Sequence, residues 1–419
     1  MGDHSSSGGT RRKPVRVLLA GGALLSLACS GCGIGSSSSP SPSPSATSAA
    51  TTGSDPARTS GTSGPVALAP ASCPEQVFSR MSEAQRVGQL FLVGIAGTPA
   101  ADVAQAVQAY HFGSLLWQGT STTGVAADRQ ASQAIQALAS SAATAGVRFF
   151  VAANQEGGQV QELQGPGFAV IPPALAQGQL SAADLQQQAA AWGRELRSAG
   201  VNLDLAPVMD VVPAATASQN APIGALQREF GDNPQTTGTH GAAFIRGMKQ
   251  VGVATTAKHF PGLGRVVGNT DFTSGVVDTT TGPDSPYLKS FQTAINAGVP
   301  FVMVALATYT RIDPNHLAAF SSRVIRGLLR QQLHFTGVIV SDDLGAAAAV
   351  AGLSPATRGI DFLAAGGDLI TSASLPAAIA MDQAILARAA HDASFRATVK
   401  SAVMHTPPPK QAYHLMPCG

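Results

Sequence analysis

Eight short apolar segments alternate with helical segments between residues 80 and 400, and this alternation restricts the possible folds more than any other feature. A strand that is apolar along its whole length is buried on both faces, which is typical of a parallel sheet. Eight such strands with intervening helices predict an α/β fold, a single (β/α)8 barrel of the TIM type. A doubly wound open sheet is the alternative, but the Gly-x-Gly-x-x-Gly turn of such folds is missing. The predicted strands are residues 91–95, 113–117, 149–153, 201–209, 255–260, 300–305, 337–340 and 368–371.

The segments around and between these strands have helical character. Ser82 is a suitable N-cap for the first helix, and Ser181 with Asp184 resembles a capping box for a later one. That later helix is expected to stop at Gly200, because glycine commonly follows the last helical residue. The predicted helices cover residues 83–90, 100–110, 129–145, 181–199, 235–250, 285–297, 322–332 and 375–400.

Residues 1–32 are predicted to be a signal peptide that ends in a bacterial lipobox. Four basic residues precede an apolar stretch, Val17 to Ala28, that is shorter than a typical membrane span. Small residues precede two cysteines, and we expect Cys32 to carry the lipid, with Cys29 as the alternative. A cleaved signal peptide whose cysteines are lost is the other interpretation. The prediction is therefore an exported lipoprotein, anchored to the cell membrane on its extracytoplasmic side.

Residues 33–72 are rich in Ser, Thr, Pro, Ala and Gly and are predicted to be a disordered linker between membrane and domain. The folded domain is predicted to cover residues 73–419. Its two cysteines, Cys73 and Cys418, lie at its ends, and in an exported protein we expect them to form a disulfide. Two unpaired thiols are the alternative.

Charge and motif content exclude several classes of function. Charged residues make up 12% of the chain and the net charge is +2, with no basic run or aromatic-basic pattern that would suit nucleic acid. The histidines show no paired spacing typical of metal ligands. We therefore expect no metal, no cofactor and no nucleic-acid partner.

Polar residues follow several predicted strands and mark one end of the barrel as the candidate site. The active sites of such barrels lie at the carboxyl ends of the strands, so these side chains are expected to meet there. Asp271, thirteen residues after Lys258, is flanked by glycines, and a carboxylate from another strand end would complete an acid and nucleophile pair. The residues at the strand ends are Asn154, Glu156, Asp210, Lys258, His259, Asp342 and Asp343.

Four ordered motifs resemble glycoside hydrolase family 3. They are Gln155-Glu156-Gly157-Gly158-x-Val160-Gln161, Leu205 to Asp210, Lys258 to Gly262, and Ser341-Asp342-Asp343-Leu344. The resemblance covers about residues 75 to 375. It is to the single-barrel bacterial β-N-acetylglucosaminidases, also called β-N-acetylhexosaminidases, in their lipoprotein form. It implies retaining, exo-acting hydrolysis of terminal β-linked N-acetylglucosamine, often from cell-wall fragments.

The resemblance also implies roles for individual residues. Asp342 matches the nucleophile, and Asp343 is expected to support it; a helix N-cap pair is the alternative for these two. Lys258 and His259 match sugar-binding positions, with a surface charge and a satisfied histidine as the alternatives. Arg228 matches a ligand-binding arginine, with an exposed loop ion pair as the alternative. We expect Glu156 to be a supporting residue.

Three positions depart from the family pattern. Asn269-Thr270-Asp271 occupies the place of Asp-Ser-His, so Asp271 replaces the acid/base histidine and Asn269 replaces its orienting aspartate. An aspartic acid with a raised pKa can donate the proton instead, and a simple turn is the alternative. Asn154 replaces an acidic sugar-binding residue but can still hydrogen-bond a hydroxyl. Glu162 replaces an arginine and reverses the charge there.

The sequence therefore predicts a retaining exo-β-N-acetylglucosaminidase acting on cell-wall-derived or other β-linked saccharides, and we expect a monomer. Two alternatives remain open at this point. The chain is another β-glycosidase or a phosphorylase on the same scaffold, or it is a catalytically impaired lipoprotein that binds saccharides at the cell surface. Asn154, Glu162 and Asn269 favour the last of these.

Overall fold

Eight parallel strands form a closed ring in the computed structural model of the chain, which describes residues 72–96 and 101–418. We number them β1 to β8 in chain order. Each strand pairs with the next, β8 pairs with β1, and a bridge between Val340 and Leu369 closes the ring between β7 and β8. The predicted barrel is therefore confirmed. The strands are Phe91–Ile95, Ser114–Trp117, Phe150–Ala153, Leu203–Asp204, Ala254–Phe260, Phe301–Val304, Val338–Ser341 and Ile370–Ser372.

Helices surround this ring. Serine side chains cap several of them as the sequence predicts: Ser82 accepts a hydrogen bond from the amide of Gln85, and Ser181 accepts one from that of Asp184. The principal helices are Cys73–Arg80, Glu83–Gly88, Ala101–Tyr110, Val125–Ala137, Ser141–Thr144, Ala174–Gln177, Ala182–Ser198, Pro234–Gln250, Leu288–Asn296, Arg323–Gln332, Pro355–Ala365, Leu375–His391, Ala393–His405 and Pro407–Ala412.

Two predicted helices are broken, and the predicted fourth strand, 201–209, is much shorter than expected. The segment 129–145 divides because Ser140 takes an extended conformation and caps a new helix at Ser141. The segment 375–400 divides at Asp392, which is extended and accepts a hydrogen bond from the amide of Phe395. β4 ends at Asp204, and beyond it only Val208 bridges to β5, since Pro207 has no amide hydrogen to donate.

Apolar side chains fill the inside of the ring, among them Leu92, Phe150, Phe301 and Val340. The C-terminal segment covers the amino ends of the strands, where Leu415 packs into the same cluster. Cys73 and Cys418 form a disulfide beside it, with Cα atoms 6.1 Å apart.

The predicted signal peptide, the predicted lipobox cysteines Cys29 and Cys32, and the predicted linker up to residue 71 lie outside the described residues, as does Gly419. Within the part of the chain that is described, no helix has the length and apolar character needed to cross a bilayer.

A buried carboxyl on the helix Leu375–His391 predicts a pH-dependent stability. Asp382 is 1% exposed, neither of its side-chain oxygens has a partner among the described residues, and burial raises its pKa to about 7. The folded protein therefore holds a proton that the unfolded chain releases near pH 4, so stability falls as pH rises between these values. We expect Asp382→Asn to gain roughly 2 kcal/mol at pH 8 and to flatten this slope. Thermal unfolding from pH 5 to pH 8 measures it.

Asp361→Asn is the matched control, because Asp361 is exposed on the neighbouring helix Pro355–Ala365. Its melting temperature should follow that of the wild type at every pH. Parallel curves for wild type and Asp382→Asn would contradict the assignment of a buried, protonated Asp382.

Candidate active site

A cavity of about 340 Å³ opens at the carboxyl ends of the barrel strands. It is lined by residues from the ends of seven strands, β2 to β8, and from the loops after them, and nine of the residues singled out from the sequence are among them. Glu156 lies directly behind its wall. These nine residues are Asn154, Glu162, Arg228, Lys258, His259, Asn269, Asp271, Asp342 and Asp343. A larger cavity of about 880 Å³ lies at the other end of the barrel and contains none of them.

Asp342 and Asp343 follow β7 but have different surroundings. One oxygen of Asp342 accepts the amide of Asp343 at 2.9 Å, and its carboxylate lines the cavity. The carboxylate of Asp343 instead accepts three backbone amides, those of Gly345 at 2.7 Å, Ala346 at 3.1 Å and Ala373 at 2.8 Å. Asp343 thus fixes the loop after β7 against the loop after β8, and Asp342 is the one whose carboxylate is available to a ligand.

Asp271 lies on the loop after β5, at the mouth of the cavity. The loop is held by the segment after β7, because Ala348 donates to the carbonyl of Asp271 at 3.1 Å and Ala349 to that of Thr270 at 3.0 Å. Asn269 accepts the amide of Asp271 at 2.9 Å. Asp271 is exposed to solvent as a residue, but partial burial of its carboxyl raises its pKa, and the negative charge of Asp342 raises it further.

Three nearby basic residues lower the pKa of Asp271 by smaller amounts, namely His259, Arg228 and Lys258. The net direction is upward, so Asp271 keeps its proton to higher pH than an ordinary aspartate. A carboxyl with a raised pKa and a second carboxyl on the same cavity form the arrangement that general acid and nucleophilic chemistry needs.

Lys258 and Arg228 share one buried counter-ion. Glu156 receives two hydrogen bonds from the Arg228 guanidinium, at 2.8 and 2.7 Å, and lies 2.7 Å from the Lys258 ammonium. Burial alone would raise the pKa of Glu156, but the charges of Arg228 and Lys258 lower it to about 2. The ion pair expected as an alternative for Arg228 is therefore present, although it is buried rather than exposed and Arg228 still lines the cavity.

His259 is oriented by Asp210, which follows the irregular end of β4. The Asp210 carboxylate lies 2.8 Å from Nδ1 of His259 and accepts the backbone amides of His259 at 3.2 Å and Leu263 at 2.7 Å. This leaves Nε2 of His259 as the ring nitrogen for a ligand. The sequence places Asp210 at a strand end but indicates no role for it, because the contact depends on how β4 and β5 are aligned.

Glu162 supplies a carboxylate beside Asn154. The Glu162 side chain accepts the amide of Asn154 at 2.6 Å and its side-chain nitrogen at 3.2 Å, while the Asn154 oxygen accepts from Lys258 at 2.8 Å. Burial raises the pKa of Glu162 to about 7. Behind it, burial raises the pKa of Asp204 to about 7 as well. Compared with the family pattern, Glu162 replaces a cation, but its carboxyl lies next to Asn154 and so supplies an acidic group where Asn154 does not.

Within residues 72–96 and 101–418, no three His, Cys, Asp or Glu side chains are grouped to hold a metal ion. The cavity's polar groups are carboxyls, cations, amides and one oriented imidazole. These suit a neutral ligand with many hydroxyls, and two of the carboxyls, those of Asp271 and Asp342, line the same cavity.

Comparison with known proteins matches residues 83–399 to the glycosyl hydrolase family 3 N-terminal domain. A beta-hexosaminidase of Stenotrophomonas maltophilia is 37% identical over 233 residues, which is 52% of this chain and 65% of that protein. A beta-hexosaminidase of Vibrio cholerae is 35% identical over 223 residues, 52% of this chain and 64% of that protein. The alignments thus span slightly less than two thirds of these relatives' length.

Solved structures of similar fold include a β-N-acetylhexosaminidase from Beutenbergia cavernae. It is 45% identical with a TM-score of 0.78, and the match covers 79% of this chain and 99% of that one. A glycoside hydrolase family 3 β-N-acetylglucosaminidase from Paenibacillus is 27% identical with a TM-score of 0.71, covering 80% of this chain and 63% of that one.

Proposed function

The chain belongs to glycosyl hydrolase family 3 through that family's N-terminal domain, and on this premise we propose that it is a retaining exo-β-N-acetylglucosaminidase. The observation that carries the proposal is the pair Asp271 and Asp342 on one cavity, with the pKa of Asp271 raised. The relatives from Stenotrophomonas, Vibrio and Beutenbergia, which are named for hexosaminidase activity, support the choice of sugar.

The proposed reaction has two steps. The carboxylate of Asp342 attacks the anomeric carbon, the bond from that carbon to the leaving oxygen breaks, and Asp271 gives its proton to this oxygen. Water then attacks the glycosyl-enzyme while Asp271 takes a proton from it, so the sugar leaves with its original β configuration. This requires the two carboxyl groups to approach to about 5–5.5 Å when substrate is bound.

The remaining lining residues bind the sugar in this proposal. Lys258, His259 and Asn154 offer hydrogen-bond donors to hydroxyls, and Arg228 contributes a guanidinium edge next to them. Glu156 holds Lys258 and Arg228 in place and compensates their charge. Asp343 and Asn269 keep the two catalytic loops in position.

A panel of aryl glycosides tests the function. We expect hydrolysis of the β-N-acetylglucosaminide to exceed that of the β-glucoside and β-xyloside by about a hundredfold in kcat/KM, since a pocket that hydrogen-bonds a missing group discriminates strongly. Inorganic phosphate should neither speed the reaction nor appear in the product. Preference for another aryl glycoside would favour a different β-glycosidase, and a sugar phosphate product would favour a phosphorylase. Saccharide binding in calorimetry without turnover would favour the binding lipoprotein.

The raised pKa of Glu162 predicts that substrate binding depends on pH. An ionised carboxylate accepts a hydroxyl hydrogen bond more strongly than a neutral one, and the pKa of Glu162 is about 7. We therefore expect the wild-type KM to fall by about fivefold between pH 6 and pH 8. In Glu162→Gln the KM should be raised at pH 8 and should not change over this range. Glu195→Gln, on the outer helix Ala182–Ser198, is the control, and a titrating KM in Glu162→Gln would contradict this role.

The same proposal includes cell-wall saccharides as the source of the substrate. It also includes a lipid on Cys32 and a monomeric protein that is anchored to the membrane on its extracytoplasmic side. The motif residues before Cys32 and the Ser/Pro-rich sequence after it support the anchor. Mass spectrometry of the mature N-terminus should find a diacylglyceryl group on Cys32. A lipid on Cys29 would show that the alternative cysteine is the lipidation site. An unmodified N-terminus beyond residue 32 would refute the anchor.

A further inference from the structure

The cavity of about 880 Å³ at the amino ends of the strands has no part in the proposed reaction. Its walls come from the helix Val125–Ala137, the turn after helix Ala182–Ser198, and the C-terminal segment 413–415. Its surface is about equally polar and apolar, and its uncharged polar residues include Gln133, Gln136 and Asn202. The cavity is therefore a wide, partly polar cleft on the side of the barrel away from the catalytic rim.

Positive charge in this cleft is not compensated. Arg129, Arg148 and Arg197 line it and are exposed, and His414 adds a fourth basic group. The Arg197 guanidinium donates to the Gly252 carbonyl at 3.2 Å, whereas those of Arg129 and Arg148 have no partner among residues 72–96 and 101–418. No acidic side chain of the described chain lines the cleft. Arginines without counter-ions on a concave surface suit a layer of phosphate groups.

The two ends of the barrel also differ in their charge. The catalytic cavity is lined by four carboxyl groups, those of Glu162, Asp271, Asp342 and Asp343, and by two strong cations, Lys258 and Arg228, and the raised pKa values of Glu162 and Asp271 weaken the negative charge there. Among the described residues the cleft is lined by basic groups without acidic ones, so a negatively charged surface would be attracted to it more than to the rim.

The chain enters the described domain at the same end as the basic cleft. Cys73, next to the first described residue, is bonded to Cys418, with Cα atoms 6.1 Å apart. Leu415 lines the cleft and is three residues from Cys418, which is at most about 11 Å along the chain. Whatever precedes residue 72 is therefore attached beside the cleft, and an anchor attached there would hold this end towards the membrane.

We propose that the basic cleft binds the anionic phospholipid head groups of the membrane surface and so directs the catalytic rim away from the bilayer. The orientation rests on the proposed lipid anchor, but the binding itself does not. Each arginine near an anionic bilayer contributes about a fivefold gain in partitioning, so three contribute about a hundredfold. The attraction should weaken as salt increases, because the side chains are exposed.

Vesicle co-sedimentation of residues 33–419, which carry no lipid, tests the binding apart from the anchor. We expect binding to phosphatidylglycerol vesicles at about 0.05 M salt, its loss at about 0.3 M, and no binding to phosphatidylcholine vesicles. The triple variant Arg129→Gln, Arg148→Gln, Arg197→Gln should bind about a hundredfold more weakly. Its hydrolysis of a soluble aryl glycoside should equal that of the wild type, which also shows that it folds.

The control is the triple variant Arg246→Gln, Arg311→Gln, Arg323→Gln, which removes three exposed arginines outside the cleft. It should keep wild-type vesicle binding to within about threefold. Equal weakening by both triple variants, equal binding to neutral vesicles, or binding to duplex DNA as tight as to phosphatidylglycerol would each overturn the proposal. If the protein proves to carry no lipid anchor in cells, the vesicle binding of residues 33–419 should still be observed, and only the proposed anchor and the orientation that depends on it would be refuted.

Discussion

Replacing Asp342 by alanine is expected to lower kcat/KM for an aryl β-N-acetylglucosaminide by about 10⁴-fold or more, because the covalent intermediate can no longer form. Its carboxylate lines the cavity and accepts a single backbone amide among the described residues, that of Asp343. The neighbouring Asp343 has the opposite character, since its carboxylate accepts three backbone amides. Initial rates with a nitrophenyl glycoside measure the loss.

Added azide tests whether Asp342 is the attacking group, because the product formed with azide shows from which side the sugar is attacked. In Asp342→Ala the ion should occupy the space of the missing carboxylate, attack from the same side and yield the α-glycosyl azide. Asp284→Ala, at an exposed aspartate outside the cavity, is the matched control and should retain full activity. Wild-type turnover in Asp342→Ala, or a β-glycosyl azide from it, would show that another group attacks the sugar.

Replacing Asp271 by alanine should have an effect that depends on the leaving group. A proton donor matters most when the departing oxygen is basic, so kcat/KM should fall by about 10²–10⁴-fold for alkyl or saccharide leaving groups. With a dinitrophenyl glycoside, whose oxygen needs no proton, we expect the loss to be under about tenfold. Rates across a series of phenols of increasing acidity give this dependence directly.

The pH profile of the same variant provides an independent check. The pKa of Asp271 is raised by desolvation and by Asp342, and the acid must be protonated to act, so wild-type kcat/KM should decline as pH rises through that pKa. Asp271→Ala should lack this decline. Added azide should now give the β-glycosyl azide, the anomer opposite to that from Asp342→Ala. A uniform loss across all leaving groups would instead assign Asp271 to the loop's structure.

The barrel could be predicted because its strands are buried on both faces and are therefore continuous apolar runs. Residues such as Lys258 and Asp342 could be placed on the rim for the same reason, since Lys258 lies near the carboxyl end of such a strand and Asp342 follows one directly. Breaks within helices were harder to predict, because an extended Ser140 or Asp392 fits the helical pattern on both sides of it.

The partners of the site residues depend on contacts that periodicity does not contain. Glu162 reaches Asn154 through a small hairpin, Gln155–Gly157 with Val160–Gln161, whose strands are too short for an alternating pattern. Likewise, Asp210 reaches His259 because β4 ends early and continues irregularly. Sequence departures at positions 154 and 162 indicated a weakened site, whereas the structure shows that together they keep a carboxylate in the cavity.

The most direct test of the central claim is to trap the sugar on the enzyme. In Asp271→Ala, removal of the glycosyl group lacks its general base, so a dinitrophenyl β-N-acetylglucosaminide should build up a covalent intermediate. Rapid quenching followed by peptide mass spectrometry should find one N-acetylhexosamine residue on Asp342. A sugar on another side chain, or no covalent species together with an α-configured first product, would contradict the pairing of Asp342 and Asp271.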